Sequence, residues 1–163
     1  MTEELWRWSA VDLAQAIARG AVSSEDATRS VLGRIEAVNP QINAVVDVMA
    51  DEAVQAAREA DVARHRGAAL GPLHGVPVTI KVNVDTKGRA TTNGVVAFRD
   101  LVATEDSPVV ANLRKAGAVI VGRTNTPAFS HRWFTDNELH GPTHNPWGKG
   151  LTPGGSSGGA AAA

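Results

Sequence analysis

The sequence predicts an α/β fold: a mixed β-sheet with helices on both faces, C-terminally incomplete. Three observations carry that expectation. Val76 to Val84 and Ala118 to Gly122 are short β-branched apolar runs of the kind that form buried strands. Between them Ser107 and Pro108 open a helical stretch through Val109, Val110, Leu113 and Ala116, and Gly117 closes it. A strand, helix, strand succession of this kind belongs to α/β architecture. The chain then closes on a glycine-serine loop and four alanines that begin a helix, so an apolar face is started with nothing after it to complete its packing. The expectation is therefore one domain cut short, with 1–70 mainly helical and 71–163 an α/β core.

In chain order, Ser9 and Asp12 form an N-cap and its partner for a first helix carrying Val11, Leu13, Ala14 and Ile17 and ending near Gly20. Ser23 or Ser24 caps a second, with Val31, Leu32, Ile35 and Val38 on one side, and Asn39-Pro40 is expected to stop it. Ile42 to Met49 is β-branched and reads as a strand, and Asp51 to Arg66 reads as a third helix ended by Gly67. Turn residues from Gly71 lead into the strand that carries Lys81. Phe129 to Trp147 is polar, aromatic and turn-rich, and is expected to be loop or substrate-facing surface.

Composition narrows the functional classes. Of 163 residues 43% are hydrophobic and 20% charged, which suits a soluble globular chain. A formal net charge of -1 offers no basic field for phosphates or anionic lipid, so neither nucleic acid nor membrane is an expected partner. With no cysteine there is no disulfide, thiolate metal site or thiol nucleophile, which leaves nucleophilic chemistry to hydroxyls or lysine. The acidic, amphipathic start lacks the layout of a secretory signal, and cytoplasmic residence is the expectation.

Two motifs carry chemistry: TIKVN around Lys81, and PGGSSGG from Pro153 to Gly159. Alone, a lysine near a strand end is ordinarily a solvated or snorkelling side chain, and a GGSSGG run ordinarily a linker or phosphate-cradling loop. Their pairing points elsewhere. Charge on a lysine within an apolar strand is costly, so burial lowers its pKa towards the range where a neutral amine accepts protons. A serine hydroxyl can relay that proton demand to a second hydroxyl, which is otherwise a weak nucleophile.

Both motifs, with the stretch GRTNTPAFSHRWFTDNELHGPTHNPWGKGLTPGGSSGG that joins the second to the preceding strand, resemble the amidase signature family of serine hydrolases. The resemblance covers most of the chain and is weakest in the N-terminal helices. It implies that fold, a catalytic lysine at Lys81, and a bridging serine with a cis peptide at Ser156. Gly154, Gly155, Gly158 and Gly159 would permit the backbone that this geometry needs. The family's nucleophile lies in a DTGGS-like or DIGGS-like segment, which these 163 residues do not contain. The chain alone is accordingly expected to be inactive. Ser157 either orients the site or satisfies the loop backbone. Ser130 either borders the acyl pocket, as its region does in the family, or is a turn residue. Asn93, Thr124 and Asn125 are candidates for supporting the catalytic loops. Ala128 and His131 stand where relatives often have an acid and an apolar residue, which bears on specificity and not on reaction class.

The implied activity is hydrolysis of a small-molecule carboxylic amide to acid and ammonia through an acyl-serine. The alternatives are the A-type subunit of a glutamine-dependent aminoacyl-tRNA amidotransferase, whose TNMDEFAMG-like segment differs from TNTPAFSHRWF here, and a non-catalytic truncated fragment. No cofactor or metal is implied. His65, His74, His131, His140 and His144 lack zinc-motif spacing and are expected on surfaces or loops. Trp6 and Trp8 are expected to dock the first helix onto a missing remainder rather than to bind ligand. The natural amide and the oligomeric state are not encoded in any of these features.

Overall fold

A computed structural model describes residues 4–148 and 150–163. Helices α1 (Ala10–Ala18), α2 (Ser24–Ile42), α3 (Ala50–His65), α4 (Pro108–Lys115) and α5 (Gly158–Ala162) alternate with strands β1 (Val45–Val48), β2 (Pro77–Lys81) and β3 (Val119–Thr124). The strands form a sheet in the order β1-β3-β2. β1 runs antiparallel to β3. Between β2 and β3, Val119 N–H donates to Val76 O and Val82 N–H to Thr124 O, so partners advance together and the pair is parallel. The sheet is mixed, and all six residues of β3 are buried, so both its faces are covered.

Several boundaries follow from local hydrogen bonding. Ser9 Oγ accepts from Asp12 N–H and opens α1. Ser23, not Ser24, caps α2: its Oγ accepts from Asp26 N–H at 2.9 Å and donates to the Asp26 carboxylate. The Asp61 carboxylate on α3 takes the next two free donors, Ser24 N–H and Glu25 N–H. Helix α2 runs two residues past Pro40, where the sequence led us to expect a stop. Pro40 is tolerated within the last turn, and Asn39 ties off that turn, accepting from Ala44 and Val45 N–H and donating to Val45 O. This is why β1 starts at Val45 and not at Ile42. β2 ends at Lys81, short of Val84, because Val84 N–H turns back to Lys81 O.

The chain divides into two compact units, each assembled from separated segments. The first comprises the chain up to Arg34, Met49–Val78 and Ala111–Val121. Its core is apolar: Leu5, Leu13, Ile17, Ala27 and Val76 are buried, with Trp8, Leu73 and Val78 packed on them. Complete burial of a side chain such as Ile17 contributes about 1.5–3 kcal/mol. The tryptophans expected to await a missing surface are engaged within this unit. Trp8 packs on that core, and the Trp6 ring lies between the guanidinium groups of Arg7 and Arg34, at 4.4 and 4.3 Å. Aromatic rings beside an apolar helix face found their partners locally.

The second unit comprises Ile35–Val48, Thr79–Val110 and Gly122–Ala163. Its interior combines apolar residues, the cluster of Ile42, Ala44 and Ala162 and also Ile80, Val82 and Val110, with many polar ones. Thr92, Arg123, Asn125, Thr126, Thr135, Asn137 and Thr143 are all buried. Arg123 donates to the carbonyls of Ala90, Val82 and Val84 and pairs with Asp47 at 3.5 Å. Asn125 donates to Gly141 O and Thr143 Oγ1 and accepts from Thr126 N–H and Asn137 Nδ2. Buried polar groups of this kind stabilise a unique arrangement only when partnered. This network fixes the long loops, 82–107 and 125–157, that flank Lys81 and the glycine-serine run.

Candidate active site

Lys81 stands at the last position of β2, where the strand carries its side chain out of an apolar run. Its Nζ lies 3.0 Å from Ser156 Oγ and 3.2 Å from Ser157 Oγ, across 75 and 76 residues of sequence. Partial burial pushes the Lys81 amine below the ordinary lysine value. Both hydroxyls therefore face an amine biased towards its neutral, proton-accepting form.

The loop presenting Ser156 is held from beneath by Thr135. Its Oγ1 donates to Gly154 O and accepts from Gly158 N–H, both at 3.0 Å, bracketing the two serines. Gly154 has φ +86, in the left-handed region that glycine enters freely. Gly155 has no room for a side chain, because a Cβ there would collide with Arg132 O and with the Phe134 and Trp133 backbone. The Gly155–Ser156 peptide bond is cis. Ser157 precedes α5, and its side chain makes no capping bond to that helix.

Of the other residues singled out in the sequence, Ser130 lies in the same unit and is joined to the Ser156 backbone through Thr126. Thr126 Oγ1 lies 2.8 Å from Ser130 Oγ and 3.1 Å from Ser156 O. Asn93 Oδ1 accepts from Ser130 Oγ, and Asn125 anchors the loop start as described. Thr124 does not support the loops through its side chain: Oγ1 is buried without a partner. Its carbonyl receives Val82 N–H. Asn83, Thr126, Thr135 and Asn137 were not picked out in the sequence. For Thr126, Thr135 and Asn137 the available signal was the polarity of TNTP (124–127) at the end of β3 and of TDN (135–137) in the loop that follows.

Phe129 to Trp147 is irregular as expected, with Trp133 and Trp147 almost fully exposed. His140 is half-buried in that segment, its ring Nε2 against Thr92 Oγ1 and its pKa pushed down by burial and by the Arg123 charge. Among the described residues no three His, Asp or Glu side chains are grouped to hold a metal ion. No helix among them is long and apolar enough to cross a membrane.

A lysine amine at the end of β2 lies within hydrogen-bond reach of two serine hydroxyls on a glycine-lined loop, an arrangement through which a proton can pass between amine and hydroxyl. The family model for amidases matches residues 26–163. The chain belongs to the amidase family. Over 98% of its length this amidase chain is 56% identical to the indoleacetamide hydrolase of Bradyrhizobium diazoefficiens, of which it covers 30%. It is 45% identical to a glutamyl-tRNA(Gln) amidotransferase subunit from Acidothermus cellulolyticus, again over 98% of this chain and covering 32% of the relative. Among solved structures, a bacterial aryl acylamidase of the amidase signature family superposes with a TM-score of 0.90 at 32% identity, over 95% of this chain and 32% of that one. The amidase signature fold is thus shared, and the chain spans about a third of the length of these relatives.

Proposed function

We propose that the complete gene product is an amide hydrolase in which Lys81 is the base and Ser156 the bridging serine. The single observation that carries this reading is the 3.0 Å contact between Lys81 Nζ and Ser156 Oγ. Neutral Lys81 accepts the Ser156 hydroxyl proton as Ser156 takes the proton of a second serine. That serine oxygen then forms a bond to the amide carbonyl carbon. On collapse the carbon–nitrogen bond breaks, and the proton returns through Ser156 to the leaving nitrogen. Water then cleaves the acyl-serine ester to give the acid. The attacking serine is supplied from outside these 163 residues. Ser157 is the second hydroxyl on Lys81 and orients the amine, while Gly154 and Gly155 shape the loop.

The substrate class is a small carboxylic amide. The hydrolase relative makes indoleacetamide the first compound to test. Lys81→Ala in the complete gene product is expected to lower kcat by about 10²–10⁴-fold while circular dichroism stays unchanged. Undiminished turnover would refute the assignment. The similarity to one component of an amidotransferase supports a second reading, ammonia transfer within a multi-component enzyme. Co-purification with partner proteins and glutamine-dependent amidation of misacylated tRNA would favour it.

A further inference from the structure

Ser130 has a saturated hydroxyl. A serine Oγ offers one proton and two lone pairs. Ser130 Oγ has three partners: it accepts from Asn83 Nδ2 at 3.1 Å, and its single proton serves Asn93 Oδ1 at 2.9 Å or Thr126 Oγ1 at 2.8 Å in turn. Nothing remains to offer a substrate. Its backbone is correspondingly constrained. Phe129, Ser130 and Asn93 all have left-handed φ, of 56°, 57° and 48°, which non-glycine residues adopt only where surroundings impose it. Asn93 imposes it twice, since its carbonyl accepts Phe129 N–H while its side chain takes the Ser130 hydroxyl.

The partners of Ser130 connect the two ends of the relay. Asn83 lies two residues after Lys81 on the same chain segment. Thr126, fully buried, carries the contact on to the carbonyl oxygen of Ser156 at 3.1 Å. Lys81 and Ser156 are therefore tied twice, directly through Nζ and Oγ, and indirectly through Asn83, Ser130, Thr126 and the Ser156 backbone. Two hydroxyl protons serve the three oxygen–oxygen contacts running from Asn93 through Ser130 and Thr126 to Ser156. When Thr126 donates to Ser156 O, the Ser130 proton turns from Asn93 Oδ1 to Thr126, and Asn83, Ser130 and Thr126 all donate towards the Ser156 carbonyl, the Asn93 contact giving up its proton while the ring is closed.

We propose that Ser130 is a positioning residue, the keystone of a closed hydrogen-bonded ring that sets the Lys81–Ser156 separation, and not a lining residue of the acyl pocket. This inference rests on the hydrolase reading above. Loosening the ring lets Ser156 drift from Lys81 and slows proton transfer without altering what the substrate touches.

The test is steady-state kinetics of the complete gene product on indoleacetamide, with Lys81→Ala as the reference for the reading itself. Ser130→Ala is expected to lower kcat about tenfold with KM changed less than about twofold, since small misplacements of reacting groups act on the chemical step. Thr126→Val should fall similarly, and Thr126→Ser, which keeps the hydroxyl, should recover most of what Thr126→Val loses. The Ser130→Ala, Thr126→Val double variant should be no slower than the worse single, as members of one ring are non-additive. Unchanged kcat in Ser130→Ala, a raised KM with intact kcat, or multiplying losses in the double variant would each overturn the ring, even with Lys81→Ala inactive. If Lys81→Ala stays active, the base assignment beneath it falls instead, and the ring with it. If Ser130→Ala does not fold, the Thr126→Val and Thr126→Ser pair decides by the same criteria.

Discussion

Lys81 is an amine at the mouth of an apolar strand, and its titration sets the pH at which the proposed relay can run. Burial lowers its pKa from the ordinary 10.5, so the neutral form becomes available at lower pH than for a solvated lysine. Only that form accepts the Ser156 proton. The pH–kcat profile is therefore expected to rise with pH to a plateau, its ascending midpoint lying below 10.5. A midpoint at or above that value would mean that the amine is not the titrating base. Stability carries the same sign. Between the lowered folded pKa and the unfolded one, the unfolded chain binds more protons, so this group's contribution to stability increases as pH rises through that window. Arginine cannot substitute here, because its guanidinium never releases a proton in this range.

At the scale of elements, the glycine-serine loop is defined by what it excludes. Because a methyl group at residue 155 would overlap Arg132 O and the Phe134 backbone nitrogen, Gly155→Ala is expected to displace the loop, move Ser156 off Lys81 and reduce kcat about 10²-fold. Retained activity, with a crystal structure showing the loop unmoved, would contradict this. Much of the secondary structure was legible in the sequence because caps and β-branched runs are local signals. Ser9, Ser107 with Pro108, and Gly117 mark ends where the sequence suggested them. Pro40 misled because the Asn39 side chain, not proline, decides where α2 ends, and its partners lie beyond the helix. Of the candidate site, Lys81 and Ser156 were legible through paired motifs. Asn83, Thr126 and Thr135 were not, because each acts on residues 19 to 47 positions away through hydrogen bonds that leave no period in the sequence. Thr124 illustrates the converse: a polar residue next to the right loop whose hydroxyl meets nothing.

For the whole molecule, the residues described hold the proposed base and relay, and the proposed mechanism needs an attacking oxygen and donors for the tetrahedral oxyanion besides. The 163-residue chain by itself is expected to show no turnover of indoleacetamide. Residues 1–163 joined to the remaining length of the Bradyrhizobium indoleacetamide hydrolase, 56% identical over the replaced part, should hydrolyse it in a Lys81-dependent manner. Turnover by the short chain that disappears in Ser156→Ala would show that a nucleophile is already present. The Lys81–Ser156 contact also has a history within each molecule, because its two halves are 75 residues apart. At about 5–20 residues per second of ribosomal synthesis, Ser156 is joined to the nascent chain roughly 4–15 s after Lys81. Throughout that interval Lys81 lacks Ser156 and Ser157 as partners, so the amine–hydroxyl contact can form only after the ribosome has delivered the glycine-serine loop.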